Sequence, residues 1–206
     1  SILSETSEIY GAEHLLTCRA VSTDVGQALL DKITWWENYC ALHGTKMDNN
    51  PSPGNKHGGL TTILEKSLGA VAKSGQAPLS GVFDYGAPLT SKGFVFMDSP
   101  GYDPCSVTGQ VASGANLIAF TTGRGSVSGY KPAPCIKLSS NSDLFVRMGE
   151  DIDINCGDIV EGVSLAAKGA EIFEMLIDFA SGQETKSEGF GFGGVEFVPW
   201  QIGAVL

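Results

Sequence analysis

The chain has 206 residues, a formal net charge of −10 and a mean hydropathy of +0.06. Binding to nucleic acid or to an anionic membrane surface needs clustered lysine and arginine, so the excess of acidic residues argues against both. Hydrophobic residues make up 42% of the chain, which is enough for a packed core and excludes a disordered protein. We therefore expect a folded protein that binds neither nucleic acid nor membranes.

The five cysteines are widely spaced and contain no Cys-x-x-Cys pair. This spacing favours free thiols over a disulfide framework or a structural zinc site. The sequence has no apolar stretch of the roughly 18 residues that a membrane span requires, and the first residues lack the basic region of a signal peptide. Because free thiols persist in reducing compartments, we expect a cytoplasmic protein.

The first strong helical pattern in chain order covers residues 24–43, where apolar residues recur at spacings of three and four. Thr23 or Asp24 is suited to cap this helix. Residues 48–59 are dense in proline, glycine and asparagine, which predicts a loop with neither helix nor central strand. A second helix is predicted over about 61–73.

Three short apolar runs, 94–97, 116–120 and 135–138, predict strands that are buried on both faces. A helix is predicted over 104–113, between the first two strands, and another over 165–180. The inward-facing residues predicted for that last helix are Ile172, Phe173, Leu176, Ile177 and Phe179. This order predicts an α/β fold with a mostly parallel sheet, flanking helices, a Rossmann-like layered architecture and glycine-rich loops at the carboxyl ends of the strands.

Ligands of open parallel sheets bind beyond the carboxyl ends of the strands. Polar loops follow all three predicted strands, so residues 98–103, 121–125 and 139–141 are expected to form one site. Arg124 lies between two glycines, and its guanidinium suits a carboxylate or phosphate, although pairing with a local acid is the alternative. Lys56 precedes a predicted helix start, where anions bind, and a solvated turn is the alternative there.

Two other motifs have the wrong context for the function that they suggest. Residues 151–155 (Asp-x-Asp-x-Asn) open like a calcium loop, but Cys156 and Gly162 occupy the positions that need glycine and glutamate. Residues 189–194 match G-x-G-x-x-G but follow a helix instead of a strand, so we predict no dinucleotide site there. A lone loop histidine such as His57 is more typical of a surface residue than of a general base.

An ordered set of motifs along the chain is a more specific indication of the protein's family than any of the single motifs above. It comprises 50–56 (Asn-Pro-Ser-Pro-Gly-Asn-Lys), 58–62, 65–69, 100–103 (Pro-Gly-Tyr-Asp), 121–125 (Thr-Thr-Gly-Arg-Gly), Lys137 with 141–142, and 151–157. On these motifs the chain resembles the carboxyl-terminal region of the altronate dehydratase and galactarate dehydratase family, from about residue 11 to the end. His57, Tyr102 and Cys156 depart from the residues usual in that family.

The resemblance implies a hydro-lyase that removes water from a sugar acid such as altronate or galactarate and leaves a 2-keto-3-deoxy acid. It also implies a divalent metal cofactor, Fe²⁺ with Mn²⁺ as the alternative, and a small-molecule sugar acid as the partner. We expect residues 1–206 to be a single α/β domain from the catalytic carboxyl-terminal part of a longer chain. A homodimer and inactivity of this part alone both stay open.

Dehydration beside a carboxylate needs cation ligands, clamps for the anionic substrate and an acid/base pair. The predicted catalytic residues are Lys66, which would act as a base if burial favours its neutral amine, and Glu65, which is also a candidate oxygen ligand. The predicted metal ligands are Asp98 and Asp103. The predicted substrate-binding residues are Asn55, Lys56, Thr122, Arg124, Lys137, Ser140 and Asn141.

Three alternatives remain at this stage. The family also includes a lyase that releases sulfite from sulfolactate, so another hydroxy acid is a candidate substrate. A non-catalytic domain that binds sugar acids or supports assembly is the second alternative, and a nucleotide-binding Rossmann domain is the third.

Overall fold

The computed structural model describes residues 1–48, 51–57 and 59–202. The chain divides into two compact units. The first comprises Ser1–Gly114 and the described residues from Pro199 onward, and the second comprises Ala115–Val198. The prediction of one domain over the whole chain stays a prediction.

The first unit holds a 3-stranded parallel sheet in the order β1-β3-β2. Its elements are β1 (Ile2–Leu3), α1 (His14–Thr17), α2 (Thr23–Leu42), α3 (Pro53–His57), α4 (Ile63–Ala72), β2 (Leu79–Phe83), β3 (Phe94–Met97) and α5 (Asp103–Ala112), with a 3-10 turn over Thr6–Glu8. All residues of the central strand β3 are buried. Phe94 and Phe96 form the core with Leu29 and Ile33 of α2.

The second unit holds another 3-stranded parallel sheet, in the order β4-β5-β6. Its elements are β4 (Ile118–Thr122), β5 (Cys135–Ser139), α6 (Ser142–Arg147), β6 (Ile154–Asn155), α7 (Leu165–Ala180) and α8 (Lys186–Gly189), with a 3-10 turn over Gly157–Ile159. Ile136 and Leu138 of the buried central strand pack against Phe179 of α7.

The predicted fold class is confirmed, because both sheets are parallel and helices flank them. The expectation that three strands end at one sheet edge is wrong. β3 belongs to the first sheet, whereas β4 and β5 belong to the second. Apolar composition correctly identified β3 and β5 as strands buried on both faces. The same prediction for 116–120 is wrong, because in β4 only Ile118 is buried and Ala119 and Thr121 are exposed. The composition carried no information on which strands pair. The Rossmann-like layering and the glycine-rich loops stay predictions.

The predicted helices are present with small shifts at their ends. Ser22 caps α2 in place of Thr23 or Asp24, because its hydroxyl accepts the N–H of Val25 at 3.3 Å. The loop predicted over 48–59 contains the short helix α3, whose first residue is Pro53. Proline is compatible with a first helical turn because it lacks only an N–H that would have no partner there. Asn49, Asn50 and Gly58 of that loop lie outside the described residues.

The predicted inward face of α7 is partly wrong. Phe179 is buried, and Ile172 and Leu176 pack against the same core. Phe173 and Ile177 are 59% and 48% exposed. Each directly follows a residue that packs against the core, and a step of one residue along a helix turns the side chain to another face. The helix α7 is therefore apolar on two faces, and the core of the second unit contacts only one of them.

The glycine cluster at 189–194 has a packing explanation. Lys131 donates its main-chain N–H to the carbonyl of Gly193 at 3.3 Å. A Cβ on Gly193 would lie 2.7 Å from the nitrogen of Lys131, so only glycine allows the two backbones to approach this closely. Among the described residues, no helix is both long and apolar enough to cross a membrane. All five cysteines are free thiols.

Candidate functional site

The turn that follows β1 has an unusual backbone. Glu5 has φ 72° and ψ 78°, in the left-handed region that favours glycine, and within the described ranges it is the one non-glycine residue with positive φ. Hydrogen bonds to Ser99, which follows β3, hold this conformation. Glu5 donates its N–H to the hydroxyl of Ser99 and Thr6 donates its N–H to the carbonyl of Ser99, both at 3.0 Å. Strained backbone of this kind is concentrated at functional sites.

The motif at 100–103 lies directly against this turn. A Cβ on Gly101 would lie 2.4 Å from the hydroxyl oxygen of Ser7 and 3.6 Å from a carboxylate oxygen of Glu8. Glycine is therefore needed for the two segments to meet, and the contact brings Asp103 at the start of α5 into the neighbourhood of Glu8.

Lys66 reaches the same place from α4. Thr62 caps this helix by accepting the N–H of Glu65 at 3.1 Å, and this places Lys66 in the first turn. The Lys66 ammonium lies 3.4 Å from Oε2 of Glu8 and donates to Oδ1 of Asn55 at 3.1 Å. The contact pairs the Lys66 ammonium with a carboxylate, and the role of Lys66 as a base stays a prediction.

Asn55 is held in position by the turn that precedes it. Its Oδ1 atom accepts the N–H of Ser52 at 3.1 Å and the hydroxyl of Ser52 at 2.9 Å. Asn55 and Lys66, two residues predicted from different motifs, are thus brought into contact. Lys56 and His57, in the same short helix, are exposed.

Three carboxyl groups in this region have raised pKa values. Burial, helped by the charges of Glu8 and Asp103, raises the pKa of Glu5 to about 8. Burial also raises the pKa of Glu8 and of Asp103, and the charge of Lys66 opposes both shifts. We name this group, together with Lys73, the acid–lysine cluster: Glu5, Glu8, Lys66, Lys73 and Asp103. A carboxyl group with a pKa near neutrality is suited to transfer protons.

Glu65 makes its hydrogen bonds with the residues that precede α4. Its Oε2 atom accepts the N–H of Thr61 at 2.9 Å and the hydroxyl of Thr61 at 2.8 Å, which stabilises the start of α4. These hydrogen bonds lower the pKa of Glu65. The geometry supports a capping role, and the catalytic role of Glu65 stays a prediction.

Asp98 is buried at the end of β3. Its Oδ1 atom accepts hydrogen bonds from the hydroxyl of Thr6 at 2.5 Å and from Nε1 of Trp36 at 2.8 Å. Trp36 in turn stacks on Trp200, with ring centroids 5.1 Å apart. The arrangement supports Asp98 as an anchor for the Glu5 turn, and its role as a metal ligand stays a prediction.

A divalent cation needs several ligands that surround one point. Within the part of the chain that the structure describes, no three histidine, cysteine, aspartate or glutamate side chains are placed to hold one ion. Residues 151–155 do not form such a site either, since Asp153 accepts the main-chain N–H groups of Lys137 at 2.7 Å and Lys186 at 2.9 Å. The described residues therefore do not make up a complete metal site by themselves.

In the second unit, the loops after β4 and β5 bring predicted substrate-binding residues together. Ser140 donates its N–H to the carbonyl of Thr122 at 3.0 Å, and Nδ2 of Asn141 donates to the carbonyl of Gly123 at 3.2 Å. The Thr122 hydroxyl accepts the N–H of Arg124 at 3.3 Å, which fixes the turn. The Arg124 side chain is exposed.

Lys137 is placed differently from its predicted role. It is 1% exposed, in the middle of β5, and its ammonium donates to the carbonyl of Ser128 at 3.3 Å and to the hydroxyl of Ser187. The contacts tie the strand to the start of α8. The structure thus does not bring the Lys137 ammonium together with the loop of Arg124.

Glu5, Glu8 and Lys73 were missed by sequence reasoning. β1 has only two residues, which is too short for a periodicity, so nothing marked the following turn as the end of a strand. The spacing of Glu5 and Glu8 near that end was the one available signal.

A family model described as D-galactarate/altronate dehydratase, C-terminal, matches residues 1–205. The chain is 40% identical over 184 residues to galactarate dehydratase (L-threo-forming) of Escherichia coli strain K12. This match covers 89% of the chain and 35% of the relative. It is 35% identical over 189 residues to altronate dehydratase of Bacillus subtilis strain 168. That match covers 91% of the chain and 38% of the relative.

A further relative is the (2R)-sulfolactate sulfo-lyase subunit beta of Chromohalobacter salexigens, 36% identical over 200 residues, covering 92% of the chain and 50% of the relative. The chain thus spans between about a third and a half of the length of these relatives.

Proposed function

Since the chain belongs to the D-galactarate/altronate dehydratase family, we propose that it is part of a hydro-lyase that removes water from a sugar acid. Galactarate and altronate are the candidate substrates, because the relatives named for them match most of the chain. The product would be a 2-keto-3-deoxy acid. The relatives are longer than this chain, so the proposed activity is that of a full-length enzyme.

The acid–lysine cluster is the observation that carries this proposal. Removing water beside a carboxylate requires a base for the α-proton, an acid for the departing hydroxyl and positive charge near the developing enediolate. Lys66 lies 3.4 Å from Glu8 and beside Asn55, in reach of the charges of Glu5 and Asp103. Groups that exchange protons and a group that stabilises negative charge are thus adjacent.

We propose candidate substrate contacts in each unit, considered by itself. Lys66 and Lys56 offer positive charge in the first unit, and Asn55 offers an amide for a hydroxyl. In the second unit, the exposed guanidinium of Arg124 would bind a carboxylate, since it presents a fork of donors that matches two carboxylate oxygens. Thr122, Ser140 and Asn141 shape that loop.

We also propose dependence on a divalent cation, Fe²⁺ or alternatively Mn²⁺. The described residues do not supply a complete ligand set, so Asp103 or Asp98 would contribute only part of it, and the full-length enzyme would supply the rest. Chelation followed by titration with single metals, with turnover as the measurement, tests this proposal. Full activity of the metal-free enzyme would contradict it.

Removal of sulfite from sulfolactate is the second candidate reaction, because the sulfo-lyase subunit matches 92% of the chain. A role in binding or assembly without turnover is the remaining alternative. A cytoplasmic location is part of the proposal and is supported by the free cysteines, since thiols persist in reducing compartments.

The deciding experiment is a panel of galactarate, altronate, other sugar acids and sulfolactate, assayed with the full-length enzyme and Fe²⁺ under reducing conditions. Lys66→Met should lower kcat on the accepted substrate by about 100-fold or more if its charge stabilises the enediolate. Lys92→Met is the matched control, because Lys92 is an exposed lysine of the same unit. Saturable binding of a sugar acid without turnover would favour the binding role.

A further inference from the structure

The backbone conformation at position 5 is one that favours glycine. A non-glycine residue in the left-handed region destabilises the fold relative to glycine, and asparagine tolerates the same region better than glutamate does. Glu5 nevertheless occupies it, with φ 72°. The carboxylate itself is therefore what the strained position presents.

The hydrogen bonds that the described residues make with Glu5 hold its main chain. The bonds from Glu5 and Thr6 to Ser99 use main-chain N–H groups, and the bond from Thr6 to Asp98 uses the threonine hydroxyl. Asp98 and Ser99 therefore act as positioning residues for Glu5. The Glu5 carboxylate lies within electrostatic range of Glu8, Asp103, Lys66 and Lys73.

We propose that Glu5 is the catalytic residue that removes the α-proton of the sugar acid and returns it to the departing β-hydroxyl. This role rests on the proposed dehydratase function and adds a residue to it. The Glu5 carboxylate takes the proton from the carbon beside the substrate carboxylate, and the electron pair of that C–H bond forms the carbon–carbon double bond. The β-carbon–oxygen bond breaks, and the leaving oxygen takes the proton from Glu5 and departs as water.

After this step Glu5 is again a carboxylate, and the enol product tautomerises to the 2-keto-3-deoxy acid. The Lys66 ammonium stabilises the negative charge that develops on the substrate carboxylate when the α-proton leaves. One residue thus completes the proton transfer, and no further proton donor is needed to balance the reaction.

The other carboxylates nearby are less suited to this step. Glu8 is paired with Lys66 at 3.4 Å, and Asp98 accepts two hydrogen bonds from protein donors. Asp103 also has a raised pKa, but it lies at the regular start of α5 and not in a strained turn like that of Glu5. Among the described residues, the hydrogen bonds that hold the Glu5 turn are made by main-chain groups and by the hydroxyls of Ser99 and Thr6.

The first test replaces Glu5 by glutamine in the full-length enzyme and measures kcat, KM and the exchange of the substrate α-proton with D₂O by NMR. We expect both kcat and exchange to fall by about 100-fold or more, with KM within a few-fold of the wild type. Glu150→Gln, an exposed glutamate of the second unit, is the control and should change neither. Wild-type exchange and turnover in Glu5→Gln would overturn the proposal.

The second test uses Glu5→Gly. If the strained position is kept for its carboxylate, the variant should melt at the same or a higher temperature than the wild type and lose turnover. A lower melting temperature with retained turnover would overturn the proposal, because Glu5 would then be structural. Absence of turnover by the wild-type enzyme on every sugar acid would instead contradict the proposed function itself, and with it this role.

Discussion

The main-chain N–H of Glu5 donates to the hydroxyl of Ser99 at 3.0 Å, two residues beyond the ends of neighbouring strands β1 and β3. Leu3 pairs with Phe96 in register, so the two chains leave the sheet side by side. The buried strand β3 therefore positions the turn that carries Glu5. This contact joins the packed core of the first unit to its acid–lysine cluster.

We predict that Ser99→Ala lowers kcat roughly 5-fold, because one hydrogen bond of about 1 kcal/mol no longer holds the Glu5 turn. KM should change less than kcat, and the pH profile of kcat should shift, since Glu5 would sample other environments. Ser113→Ala is the control, as Ser113 is also buried and donates to Met97 at 3.1 Å. A Ser99→Ala enzyme with altered stability and unaltered kcat and pH profile would assign Ser99 a structural role only.

A second prediction concerns the pH dependence of stability. The pKa of Glu5 is raised to about 8 from 4.5, and those of Glu8 and Asp103 are raised in the same direction. These groups bind protons more tightly in the folded chain than in the unfolded chain. Their contribution to stability is complete below the unfolded pKa values and is lost as pH rises through the folded ones.

The melting temperature of the wild type should therefore fall between about pH 5 and pH 8 more steeply than that of Glu5→Gln, whose amide does not titrate. Glu150→Gln serves as the comparison and should follow the wild-type curve. Parallel curves for wild type and Glu5→Gln across that range would show that Glu5 titrates alike in the folded and unfolded chains.

The long helices and the buried strands β3 and β5 could be predicted from the sequence, because apolar composition and a period of 3.6 residues are local properties of the chain. α7 was predicted with both ends as observed, Leu165–Ala180. What the sequence did not carry was pairing between strands. The position of Glu5 depends on Ser99, 94 residues away, and the division into two sheets depends on which strands meet.

The prediction of site residues was limited in the same way, because a local motif does not show which residues meet in the folded chain. Asn55 and Lys66 were predicted from motif content, and the structure brings them together at 3.1 Å. Lys137 was predicted from the same kind of motif and lies buried in a strand. A motif identifies residues that matter to a family without separating contacts to a ligand from contacts that hold the fold.

A third prediction concerns Gly157, which follows β6. A Cβ there would lie 2.0 Å from the nitrogen of Ser142 and 2.6 Å from the Cα of Asn141, so the backbone that carries the α6 cap would have to move. Gly157→Ala should cost about 2 kcal/mol of unfolding free energy, as overpacking does in other cores.

Gly169→Ala provides the matched control, because Gly169 lies in α7 and nothing lies within 4 Å of its added Cβ. It should raise the free energy of unfolding by up to about 1 kcal/mol, since alanine is the better helix former. Denaturant unfolding of both variants measures the two effects. Equal, small effects would mean that the Asn141 loop adapts to the added methyl group.

A fourth prediction separates the two basic residues assigned to the substrate in the second unit. Lys137 donates to Ser128 and Ser187 inside the protein, whereas the Arg124 side chain is exposed beside Thr122. Lys137→Met should change stability and leave KM for the sugar acid unchanged. Replacing a buried charge by an apolar side chain of similar size is often tolerated, so the variant should fold.

Arg124→Gln should leave stability unchanged and raise KM at least about 10-fold, because it removes a charged hydrogen-bond donor worth roughly 1.5–3 kcal/mol to a carboxylate. Arg124→Lys should recover only part of this loss, since a lysine cannot form the two parallel hydrogen bonds of a guanidinium. The two KM values, measured with the melting temperatures of the same proteins, decide the assignment. A raised KM in Lys137→Met with a wild-type KM in Arg124→Gln would reverse it and place the carboxylate contact within the β5 strand.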